Sequence, residues 1–194
     1  MNTLLLKDYR LERLTDSGVD TAKRLCDEFV GQGLYGKTHL RQIIPDDTHL
    51  FYLVMKGDVP VGYFYAQSLR AGDISRLPGL SYDVIASLCE PDAEIGVCRS
   101  IGIREAYRGS GLSDALLLLF KNYFETVRLV PLIIVPAWSK NGDVPAAKLL
   151  TRCGFHYLAD LKTPWADHPT LQCAACGQTP CSCDAVVYYS GGVS

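Results

Sequence analysis

Little in this sequence is arranged to meet a polyanion. Nineteen Lys and Arg stand against 21 Asp and Glu, a formal net charge of −2, so there is no basic excess to neutralise phosphates along a nucleic-acid footprint. Nucleic acid is therefore not an expected partner. Long apolar runs are missing as well. The main uncharged apolar runs, residues 115–120 and 129–138, fall far short of the roughly 20 residues that cross a bilayer, and no membrane span is expected. Near the N-terminus Leu4, Leu5 and Leu6 are followed by Lys7, Asp8 and Arg10, which leaves neither the apolar stretch nor the cleavage site of a signal peptide. The expected location is the cytoplasm, where thiols stay reduced. Internal repeats, low-complexity tracts and Gly/Ser linkers are also lacking, so residues 1–194 read as one domain around one main core.

What is present is an alternation of strand and helix periods. Residues 9–14 alternate apolar and charged side chains like a half-buried strand, and Asp16-Ser17 then opens a helix with Val19, Ala22, Leu25, Cys26, Phe29 and Val30 at helical spacing. Residues 49–55 and 59–69 are β-branched and aromatic and meet through Lys56-Gly57-Asp58, an antiparallel hairpin. Residues 70–92 carry Gly and Pro without period and read as an irregular excursion with a short helix at 82–88. A strand over 93–103 places Ile95, Val97, Arg99, Ile101 and Ile103 on one face. A core helix follows from Leu112, its apolar stripe wide enough to lie on a sheet. Residues 132–135 form a short buried strand closed by Pro136, which lacks an N–H and so implies a gap in the ladder beside it. A helix over 144–152 stops at Gly154, and strands over 155–161 and 184–189 flank a cysteine-bearing loop.

The densest chemical signal is the strand-to-helix turn Arg108-Gly109-Ser110-Gly111-Leu112-Ser113. Its glycines remove the Cβ atoms that block close approach, so the backbone N–H groups of Gly109 to Ser113 can face a pyrophosphate at the positive end of the helix dipole, with Arg108 adding charge. A solvated turn with a helix cap is the plainer explanation of those four residues taken alone. No Gly-Lys-Ser/Thr follows, which excludes a Walker loop, and an antiparallel hairpin precedes the turn where a dinucleotide fold would have a βαβ unit.

The turn resembles the Q/R-x-x-G-x-G/A acyl-CoA loop of the GNAT superfamily of N-acetyltransferases, and Ala146 to Phe155, A-A-K-L-L-T-R-C-G-F, is similar to that family's later helix ending in Gly-Phe. With the strand order, the resemblance spans residues 8–160. It implies an α/β (α+β) fold with a mixed, mostly antiparallel sheet, flanking helices and splayed central strands. It implies acetyl-CoA as co-substrate, a small-molecule or peptide amine as acceptor attacking the thioester directly, and a homodimer as a common assembly. On this resemblance the N–H of Ile101 polarises the donor carbonyl, Ile103 pairs with the pantetheine arm, Gly102 permits a bulge, and Asn141 reaches the same arm, although a loop or helix-capping Asn is its plainer reading.

Two departures bear on the chemistry, of which Ser113 in place of the last Gly/Ala is small enough to be harmless. Leu150 stands where many such enzymes carry a Tyr general acid, which leaves Tyr107, Tyr123, Tyr157 and Cys153 as substitutes by type. Glu94, at the start of its strand, is the favoured base, with a solvated carboxylate as the alternative. Arg99, an unpaired charge in an apolar strand, should have a partner and belongs with Glu94 to acceptor recognition if the chain is instead similar to N-acyl amino acid or acyl-homoserine-lactone synthases, which use longer acyl donors. A non-catalytic acyl-CoA-binding module is the reading from another class.

Cys173, Cys176, Cys181 and Cys183 fall within an eleven-residue window of the loop 171–184. Four thiolates suit a structural zinc ion; two disulfides or redox-active thiols are the competing readings. Cys26, Cys89, Cys98 and Cys153 are isolated and expected to pack as apolar residues. The four histidines show no ligand spacing.

Overall fold

The computed structural model describes residues 3–6 and 8–192. β1 (Thr3–Leu6) turns back on β2 (Tyr9–Arg13), and helix α1 (Val19–Phe29) leads through β3 (Gly31–Gln32) to the short helix α2 (Lys37–Gln42). β4 (His49–Lys56) and β5 (Val59–Arg70) form the expected hairpin. The excursion contains two 3₁₀ turns, Ala71–Arg76 and Tyr82–Val84, before β6 (Glu94–Ile103) enters α3 (Leu112–Asn122), which ends in a π turn at Tyr123–Val127. β7 (Leu132–Ser139), α4 (Ala147–Arg152), β8 (His156–Leu161), β9 (Gln172–Cys173) and β10 (Asp184–Gly191) complete the order.

Eight strands make one sheet in the order β1-β2-β4-β5-β6-β7-β10-β8, and β3 with β9 makes a separate two-stranded ribbon. Every neighbouring pair in the large sheet is antiparallel except β6 and β7. The mixed, mostly antiparallel architecture is the one the sequence implies. β1, α2 and the ribbon are additions to it.

The helical stripes decide which face each helix covers. Val19, Ala22, Leu25 and Cys26 of α1 are buried against Phe51, Leu53, Tyr63 and Tyr65. Leu112, Leu116, Leu117 and Phe120 of α3 are buried with Val54, Val61, Phe64 and Cys98 in a different cluster. Since successive strand residues point to opposite faces, α1 and α3 lie on opposite sides of the sheet. The excursion that carries the 3₁₀ turns covers the rest of the α1 face, packing Ile74, Leu80 and Ile85 on Ile95, Val97, Ile134 and Val187.

The two central strands part early. β6 and β7 pair only at Gly96↔Ile133 and Val97↔Ile134, although both run on well past those residues. Two local features open the gap. The register of β6 on β5 slips between Tyr65↔Ser100 and Ala66↔Cys98, which leaves Arg99 as the extra residue of a β-bulge. The bulge therefore sits at Arg99 and not at Gly102, where a Cβ would lie 2.2 Å from Phe29 Cδ2. Gly102 is small so that α1 can pack.

Pro136 does not close β7, which continues to Ser139. The reason is in the ladder. Gly192 donates to the Pro131 carbonyl at 2.7 Å, and strict alternation from that bonded pair puts Pro136↔Val187 at a non-bonded position. The Pro136 nitrogen thus faces the gap, where no donor is needed, and β7 keeps its bonds to β10.

Candidate active site

The gap opens into a cavity of about 690 Å³ lined from both faces of the sheet. On the α3 side Ile103, Arg108, Ser113, Leu117, Ala146 and Leu150 contribute; on the α1 side Glu28, Leu34, Tyr35, Leu80, Arg99 and Trp165 do. Ser100, Ile101 and Gly102 of β6 face Pro136, Ala137 and Trp138 of β7 across its middle.

The β6 wall carries free donors. Arg104 donates to the Val61 carbonyl at 2.9 Å, so 104↔61 is a bonded pair and alternation makes Gly102↔Tyr63 and Ser100↔Tyr65 bonded too. Ile101 and Ile103 fall between them, and their N–H groups point away from β5 into the gap. β7 has already left, so these two amides meet no strand. They are the two that the sequence singles out.

At the α3 end the turn is open. Gly109 and Gly111 hold φ of 75° and 76°, and a Cβ on Gly109 would meet nothing within 4 Å. Among the described residues no backbone carbonyl accepts from the N–H of Gly109, Gly111, Leu112 or Ser113, so these amides stand available at the start of an eleven-residue helix. Ser110 Oγ donates to the Tyr107 carbonyl at 3.0 Å and steadies the turn. Arg108 Nε donates to the Ile103 carbonyl at 2.8 Å, which directs the guanidinium along the cavity wall.

The α1 end holds a polar cluster that the sequence does not announce. Tyr65 Oη lies 2.8 Å from His49 Nδ1 and 3.2 Å from His39 Nε2, and the Arg99 guanidinium sits 5.6 Å from the Tyr65 ring centre. Burial first, then the Arg99 charge, pushes His39 down to about 4. His49 shifts the same way, chiefly by burial. Tyr35 stacks on His39 and is the only tyrosine lining the cavity; burial raises its pKa and keeps the phenol protonated. The Ser100 and Tyr63 hydroxyls nearby are buried without a hydrogen-bond partner among the described residues.

Two predicted site residues lie elsewhere. Glu94 is paired with Arg128, is exposed, and does not line the cavity. It stands seven positions before Ile101, roughly 23 Å along an extended strand, too far to serve as base for chemistry at the Ile101 amide. Glu28 is the carboxylate that does line the cavity, bridged to Arg104 at 3.1 Å. Asn141 is exposed with φ of 52° in the turn closed by Lys140 and Asp143, and it too is absent from the lining. Its loop reading holds. Tyr107, Tyr123, Tyr157 and Cys153 all lie outside the lining, which removes the four acid substitutes chosen by type.

The cysteine loop does gather its thiols. The Sγ atoms of Cys173, Cys176, Cys181 and Cys183 all lie within 4.8 Å of one another. The 173–183 and 176–181 separations are each 3.9 Å. Four thiolates at about 2.3 Å from one tetrahedral ion would stand about 3.8 Å apart, so the spacing fits zinc. Burial disfavours the Cys176 thiolate, but backbone N–H groups of Ser182 and Gln178 outweigh it and bring the thiol down to about 6. Burial pushes Cys183 up to about 11, opposed by the Trp138 indole N–H, which is buried and satisfied by no acceptor in full hydrogen-bond geometry among the described residues. A thiolate at Cys183 would give this indole an acceptor. Cys173 and Cys181 also line the α1 end of the cavity, so the loop is one of its walls.

No family model and no curated protein matches this sequence. Solved structures do match the fold. Arabidopsis thaliana NAA60 in complex with acetyl-CoA aligns with a TM-score of 0.68 at 14% identity, over 94% of this chain and 98% of that one. A Vibrio cholerae spermidine N-acetyltransferase, SpeG, aligns at 0.60 and 14% identity over 96% and 95%. GphF, a GNAT-like decarboxylase in complex with isobutyryl-CoA, aligns at 0.66 and 13% identity over 94% and 98%. The chain has the fold these GNAT structures share.

Proposed function

We propose that this protein is an acyl-CoA-dependent N-acyltransferase, transferring acetyl from acetyl-CoA to a primary amine by direct attack. One observation carries the reading: a cavity crosses the sheet at a splay whose β6 wall presents two strand-free amides, Ile101 and Ile103, and whose α3 end presents the amides of Gly109, Gly111, Leu112 and Ser113. The turn and Arg108 hold the pyrophosphate, the Ile103 N–H steadies the pantetheine arm, and the Ile101 N–H draws charge onto the thioester oxygen. Acetyl-CoA supplies the acyl carbon.

The amine enters from the α1 end, its C–N bond forms as the C–S bond breaks, and the departing thiolate takes a proton. Tyr35, the tyrosine in the cavity lining, donates that proton in this scheme and takes in return the second proton that the acylated nitrogen sheds. Glu28, at the same mouth, receives the ammonium proton. The four-cysteine loop holds one structural zinc ion, whose closed ligand set leaves no position for substrate.

The test is to incubate the protein with acetyl-CoA, then with longer acyl-CoA donors, and a panel of primary amines while following free thiol. Turnover is expected, with Tyr35→Phe lowering kcat on the order of 100-fold and leaving donor affinity unchanged. Leu150 in place of a phenolic acid favours a second reading, a non-catalytic acyl-CoA-binding module. Tight donor binding without thiol release from any amine would establish that reading; failure to bind any acyl-CoA would sink both.

A further inference from the structure

Arg99 is the bulge residue of β6, half-buried at the α1 end of the cavity. Its charge is unanswered. Nη1 donates to Gln67 Oε1 at 2.7 Å, the guanidinium lies against the Tyr65 ring, and among the described residues no carboxylate pairs with it. Arg104, Arg128 and Arg152 each have such a carboxylate, and Arg104 and Arg128 are half-buried like Arg99. A guanidinium carries five donors, so most of its capacity is open, and holding it in a half-dry cleft is costly unless an anion arrives. The histidines beside it are held neutral and do not add charge.

The surroundings limit which anion. One guanidinium among Leu34, Leu77, Leu80, Trp165 and Leu171 matches a single carboxylate on an apolar body; a phosphoryl group would need more donors. Arg99 is also two positions before Ile101 and leans towards Gln67, which pairs with Val97. The anion and the reacting amine are therefore separated by roughly 7 Å or more of strand. Resting on the acyl-transfer reading, we propose that the acceptor is an amino-carboxylate, with a primary amine at one end of an apolar chain and a carboxylate at the other that Arg99 grips through paired N–H···O bonds.

The experiment uses matched pairs: ω-amino acids of increasing chain length against the n-alkylamines that lack only the carboxylate, with acetyl-CoA as donor. The carboxylate member should be preferred by roughly 10- to 100-fold in kcat/KM, the range of a charge-assisted contact. Arg99→Gln should erase the preference, bringing kcat/KM for each ω-amino acid down to that of its matched alkylamine in the same variant, and Arg99→Lys should restore part of it. Equal turnover of both members by the wild-type protein, equal losses in Arg99→Gln, or a preference for acidic peptides over free amino acids would overturn the proposal and leave acyl transfer standing. If neither variant folds, the wild-type ratio alone decides. If no pair turns over, calorimetry of the acetyl-CoA-loaded protein separates the two ideas. Carboxylate-dependent binding supports the Arg99 subsite while acyl transfer falls, and no binding overturns both.

Discussion

Gly102 and Gly109 are both small for steric reasons, but against different neighbours. A Cβ on Gly102 would press on Phe29 at 2.2 Å and Tyr63 at 2.8 Å, so Gly102→Ala should lower stability by about 1–3 kcal/mol in urea denaturation. A Cβ on Gly109 meets no protein atom, only the space over the turn and a φ of 75° that disfavours it. Gly109→Ala should lose about 1–2 kcal/mol of stability, with donor affinity, measured by calorimetry, falling more than that loss explains. His39 supplies a pH test. Burial and Arg99 depress its folded-state value from 6.5 to about 4, so the unfolded chain binds the extra proton. Stability should be complete above pH 6.5, fall as pH drops towards 4 and flatten below. In His39→Gln the slope across that window should shrink.

At the scale of elements, the sequence exposed the splay through a single proline but misjudged how the strand accommodates it. Pro136 marks missing ladder bonds, yet which side they are missing from depends on pairing with β10, some fifty residues later in the chain. The Gly-rich turn at 108–113 was legible as a strand-to-helix turn because its signals are local: glycines, a cation and a helix start within six residues. The α1 end was not. Tyr35 lies in a stretch without period that leads into a six-residue helix, and it reaches the cavity only because the ribbon of β3 and β9 pins that stretch beside the cysteine loop. Glu94 misled because its place at a strand start is readable locally, whereas its distance from the gap depends on where β6 and β7 part, beyond Val97↔Ile134. Hydrogen exchange tests the element directly. Without ligand the amides of Ile101 and Ile103 should exchange quickly while those of Ser100 and Gly102, bonded to β5, stay protected. Acetyl-CoA should slow the first pair and leave the second unchanged.

For the molecule as a whole, the cysteine loop is the tie between distant parts of the chain. Its ribbon joins the end of α1 to residues just before β10, and Leu34, Trp138 and Trp165 pack on its sulfurs. Native mass spectrometry should find one zinc per chain. Stripping it with a chelator should lower the melting temperature by several degrees and loosen the ribbon. Donor affinity should hardly change, since the turn at Gly109 lies on the other face of the sheet. Among the described residues no helix is long and apolar enough to cross a membrane.

Because the cavity passes between β6 and β7 from one face to the other, the two reactants have separate doorways. Neither blocks the other's arrival or departure. Initial-rate plots at varied donor and acceptor should therefore intersect, as for a ternary complex assembled in random order, and each product should inhibit without the other having to leave first.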